Sequence, residues 1–111
     1  MDKRNLILLL EKALIESTNF TIQYYDGNDE YMADTKKVLN LLKSEIKKRP
    51  TQINERVLRA MHDVGALAVK QYENTKLEAA IMDITSILYN QIPNYKSLKP
   101  LRSDFGKGDP I

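Results

Sequence analysis

Chemistry that depends on side chains has little to draw on in this chain, which carries one histidine and no cysteine. Cys–His nucleophile pairs and Cys/His zinc sites are excluded by that inventory. On a helix, His62 shares a polar stripe with Glu55, Arg59 and Asp63, whose spacing of about one turn makes a solvated charge ladder. A surface position is therefore expected for it, not a catalytic or metal-binding one. The acidic stretch Asp26-Gly27-Asn28-Asp29-Glu30, followed by Asp34, has a superficial likeness to a calcium loop. Its glycine is second where an EF-hand needs it sixth, and Lys37 stands where the bidentate glutamate belongs. Carboxylates before a helix start, opposing its partial positive charge, explain these residues better. Phe105-Gly106-Lys107-Gly108 could touch a phosphate, but it has too few glycines and no strand before it, so it reads as a loop. No catalytic residue, metal or cofactor is expected.

Two groups of residues have the composition of binding surfaces. The aromatics Phe20, Tyr24 and Tyr25 stand beside the carboxylates Asp26, Asp29, Glu30 and Asp34. Tyrosine gives contact area at low entropic cost, and clustered carboxylates steer a basic partner. The competing reading has Phe20 and one tyrosine pinning a connection while the acids cap a helix. The second group is basic: Lys36, Lys43 and Lys47 on one helix flank, with Arg56 on the next helix, offer phosphate contacts in the rough place of a helix-turn-helix. The second helix of that pair is too long for a reading helix, the turn contains Pro50, and no aromatics are interleaved. Charge is distributed to match. The first 35 residues hold seven acidic and three basic side chains, residues 36–59 eight basic and two acidic, within a net charge of +2.

The elements that must position these residues are helical. From Ile53 to Tyr72, apolar residues recur at three- and four-residue spacing (Ile53, Val57, Leu58, Met61, Val64, Leu67, Ala68, Tyr72), which predicts a long helix around which the others pack. Val64 to Val69 lacks polar side chains, so cover on nearly all sides is expected there, with Gly65 admitting a neighbouring backbone. The first helix is predicted over 3–17, capped by Asp2 and facing the core with Leu6, Leu9, Leu10, Ala13 and Leu14. Leu8 and Ile15 fall on its other side and need cover from the C-terminal tail or a second subunit. Residues 18–28 alternate Phe20, Ile22 and Tyr24 with polar residues and are predicted as an extended connection. Further helices are predicted over 29–48, burying Met32, Thr35, Val38, Leu39, Leu42 and Ile46, over 52–73, opened by Thr51 or Gln52, and over 76–91. Thr75 and Glu78 form a capping box for the last, with Leu77, Ile81, Ile84, Leu88 and Ile92 as its core line. Residues 94–111 carry Tyr95, Leu98, Leu101 and Phe105 among helix-breaking prolines and glycines, and predict a docked, mostly irregular tail.

These expectations amount to an all-α, four-helix, bundle-like single domain. The apolar run Leu6–Leu10 is too short for a secretory signal and no window suits a membrane span, so a cytoplasmic protein is expected. A small helical bundle without a catalytic inventory suits binding another protein with a basic patch. Bacterial immunity proteins, toxin antagonists and adaptors share that general make-up, an analogy of architecture alone. Nucleic-acid binding through the basic helix is the alternative, and self-pairing through helix 1 is a third way to use an exposed face.

Overall fold

The computed structural model describes residues 2–24 and 30–101. Within them lie α1 (Lys3–Tyr24), α2 (Glu30–Lys48), α3 (Glu55–Gln71), α4 (Lys76–Gln91) and a 3-10 turn, Tyr95–Ser97. The fold is all-α, and no strand occurs among the described residues.

α1 begins as its sequence predicts: the Asn5 N–H donates to Asp2 Oδ1 at 3.1 Å, the hydrogen bond of an N-cap aspartate. It then continues seven residues beyond the predicted end at Ser17, so the extended connection expected over 18–28 is helix as far as Tyr24. The buried stripe explains the difference. Leu6, Leu10, Ala13, Ser17 and Phe20 follow one another at spacings of four and three residues and are all buried. Ser17 can occupy a core position because its hydroxyl donates to Leu14 O at 2.6 Å, and Thr21 repeats the device on Ser17 O at 2.9 Å. Phe20 sets its ring edge-to-face on Tyr72 with centroids 4.9 Å apart. Full burial of such a side chain stabilises by about 1.5–3 kcal/mol, enough to override a local alternation that reads as strand.

α2 buries the predicted Met32, Thr35, Val38, Leu39, Leu42 and Ile46. The turn after it places Thr51 and Gln52 outside the helix, and the N-cap of α3 is Asn54, whose side chain accepts from Arg56 N at 2.8 Å. This later start is fixed from α2: Glu45 Oε1 accepts the Asn54 N–H at 2.7 Å, and Glu45 Oε2 accepts from Arg49 Nη2 at 2.8 Å. At the next junction Thr75 Oγ1 accepts from Glu78 N at 3.1 Å as predicted, while Glu78 Oε1 accepts in return from the Asn74 N–H at 3.0 Å. Asn74 sits at φ 61, the left-handed region that asparagine tolerates better than most residues.

Contacts between elements establish an up-down-up-down arrangement. The start of α1 meets the ends of α4 and α2, through Asp2 N to Gln91 Oε1 at 3.1 Å and Lys3 Nζ to Lys47 O at 3.4 Å. The start of α2 meets the end of α3, through Thr35 Oγ1 and Tyr72 OH at 3.4 Å. α1 packs on α2 and α4, and α3 packs on the same two. α3 is therefore one corner of a four-cornered bundle, not the centre predicted for it. Its outer side bears this out, since Ala66 is exposed and Val69 is 52% exposed. Gly65 meets only side chains, Thr85 and Met82, and no backbone approaches it.

Candidate functional site

The tail and the outer side of α3 and α4 meet around an aromatic trio. The His62 imidazole, half-buried and not solvated as the charge ladder predicts, stacks on Tyr95 with centroids 4.1 Å apart and 13° between planes. Tyr89 of α4 stands edge-on to both, 5.9 Å from His62 and 5.0 Å from Tyr95. His62 Nε2 lies 2.8 Å from Tyr95 O. A carbonyl only accepts, so Nε2 is the protonated nitrogen and the imidazole acts as a clasp on the main chain.

Two neighbours on α3 extend that clasp. Arg59 Nε donates to Lys99 O at 3.1 Å and its Nη2 reaches Pro100 O at 3.5 Å. Asp63, predicted on the polar stripe, is buried, and its Oδ2 accepts from Leu101 N at 3.0 Å. Leu98 and Leu101 pack on the core. As far as Leu101 the tail is docked as predicted, but on α3 and not over Leu8 and Ile15 of α1, which stay 58% and 61% exposed; the rest of the predicted tail, with Phe105, lies outside the described residues. Tyr95 has no exposed surface, and its hydroxyl has no hydrogen-bond partner. Burial pushes that phenol well above its ordinary range, with Tyr89 and Asp63 adding to the shift.

Beside this trio a shallow cleft opens between α3 and α4, floored by Gly65, Met82 and Thr85 and edged by Ala66, Val69 and Tyr89. Val69 and Tyr89 are 52% and 42% exposed. The cleft offers apolar contact area with Tyr89 and an imidazole at its margin, the material of a recognition surface. No signal in the sequence marks it: Val69 closes the run Val64–Val69, for which cover on nearly all sides is expected, and Tyr89 falls outside the core line predicted for its helix.

The residues singled out in the sequence fare unequally. Tyr25, Asp26 and Asp29 lie outside the described residues, as do the side chains of Tyr24, which closes α1, and Glu30, which opens α2. Asp34 is half-buried and engaged. Phe20, grouped with the exposed aromatics, belongs to the core. Of the basic group, Lys43 Nζ pairs with Glu11 of α1 at 3.4 Å, Lys47 is exposed near Lys3, Lys36 is half-buried, and Arg56 is exposed and engaged. The carboxylate beside Lys43 reduces what that lysine offers a phosphate. Among the described residues no cluster of His, Asp or Glu could hold a metal ion, and no helix is long and apolar enough to cross a membrane. No family model, no curated protein and no solved structure matches the chain.

Proposed function

We propose that this protein is a small, non-catalytic, cytoplasmic module that acts by binding another protein, in the manner of immunity proteins and toxin antagonists. The observation that carries this reading is the cleft on α3 and α4, where Val69 and Tyr89 stand outward on a surface already braced by the tail. A large apolar side chain held in water by a rigid helix is available for a partner at little cost in ordering. By composition, the acidic residues Asp26, Asp29 and Glu30 suit this reading, since clustered carboxylates speed the approach of a basic partner.

The test is affinity capture from the native host with wild-type chain and with the double variant Val69→Lys, Tyr89→Lys, both first shown to melt alike. A partner retained by the wild type and lost by the variant supports the proposal. Equal retention by both moves the interface away from the cleft. Should Asp29→Lys with Glu30→Lys leave the association rate at low salt unchanged, the acidic segment has no part in steering. Turnover of a substrate by the purified chain would overturn the reading altogether.

A further inference from the structure

The outer face of α1 is separate from the cleft and lies on a different helix. Leu8 and Ile15 are 58% and 61% exposed there, on the side of α1 opposite the buried line Leu6, Leu10, Ala13, Ser17 and Phe20. They are seven residues apart, a spacing that returns a helix to nearly the same direction and sets two knobs in one line. Successive residues turn by about 100°, so Arg4, Glu11 and Thr18 run along one side of that line and Asn5, Lys12 and Asn19 along the other. All of these are exposed or half-buried.

We infer that this face pairs with the same face of a second copy of the chain, the two α1 helices running parallel. The charges select the occupant and the direction together. In a parallel pair the two opposite sides face each other, so Lys12 of each copy meets Glu11 of the other, Arg4 meets Asn5, and Thr18 meets Asn19, while Leu8 meets Leu8 and Ile15 meets Ile15. In an antiparallel pair like sides meet, bringing Lys12 onto Lys12 and Glu11 onto Glu11. Glu11 already accepts Lys43 at 3.4 Å, and a carboxylate has lone pairs for a second ammonium. The aliphatic line is only two residues long, so the pairing is weaker than that of standard interfaces, which bury ~800 Å² per partner, and the dimer is expected only at high protein concentration.

The chain has no cysteine, which makes single-cysteine variants clean probes. Sedimentation velocity of the full chain from about 10 μM to about 1 mM should show a concentration-dependent dimer. The double variant Leu8→Lys, Ile15→Lys should remain monomeric with an unchanged melt, and Lys12→Glu should weaken pairing while Lys12→Glu with Glu11→Lys restores it. Under mild oxidation Leu8→Cys and Ile15→Cys proteins should each form their own disulfide dimers faster than the mixed one. A monomer at every concentration, or a dimer that survives the double variant, overturns the inference. A mixed disulfide that forms fastest overturns the parallel register.

Discussion

Gly65 and Tyr95 are single residues at which stability and recognition pull in different directions. A methyl group at Gly65 would lie 3.5 Å from Thr85 Cγ2 and 3.9 Å from Met82 Cε, ordinary contact distances. Gly65→Ala should therefore raise stability by up to about 1 kcal/mol, and a lowered denaturation midpoint would contradict the packing described. The same methyl would fill the floor of the cleft, so that variant should bind a partner at Val69 and Tyr89 less well. Tyr95 presents the other case. A buried hydroxyl without a partner costs about 1–3 kcal/mol, so Tyr95→Phe should leave the melt unchanged or raise it. A marked loss of stability would mean that the hydroxyl is satisfied. Neither Tyr95 nor Asp63 could be placed by periodicity, because what fixes each is a main-chain group: His62 grips Tyr95 O, and Asp63 takes Leu101 N from 38 residues away.

The helices were legible in proportion to how much of their core stripe is apolar. α2 and α4 bury the side chains their periods select, Ile92 at the end of α4 being only half-buried. α1 reads short because Phe20, Ile22 and Tyr24 alternate with polar residues, and nothing local announces that Ser17, its hydroxyl bonded to its own helix, will carry the buried stripe on to Phe20. The start of α3 was misplaced for a comparable reason, since the capping oxygen of Asn54 is chosen by Glu45 of another helix. That carboxylate is held below the usual range, first by the Asn54 N–H and then by Arg49. A depressed carboxylate favours the fold above its unfolded pKa, and the contribution is lost as pH falls through the folded value. Acid titration of stability should accordingly show a shallower decline for Glu45→Gln than for the wild type, and parallel curves would show that Glu45 is not a source of acid sensitivity.

At the level of the whole molecule, the tail is part of the fold. Deleting residues from 95 onward would leave Asp63 without its Leu101 N–H donor, take the carbonyl partner from His62 Nε2 and remove the fully buried Tyr95. The shortened chain should unfold at a clearly lower denaturant midpoint, with a loss of several kcal/mol, whereas a melt equal to that of the full chain would show the tail to be an accessory. The cover predicted for α1 was legible as a need but not as a location, because the sequence marks Leu8, Ile15, Leu98 and Leu101 as apolar without saying which meet.

The clasped tyrosine also makes the protein report on itself. With six tyrosines and no tryptophan, the longest-wavelength absorbance band and the emission excited in it come from phenols alone. Exposed phenols ionise near pH ~10, while Tyr95 keeps its proton as long as the tail stays docked, so the unfolded chain gains charge first and the fold weakens as pH rises above that value. An alkaline titration followed by phenolate absorbance should therefore show a late component that appears together with loss of the tail from α3, and that is one phenol smaller in Tyr95→Phe. Lifting of a seven-residue strap, 95 to 101, becomes visible without any attached label.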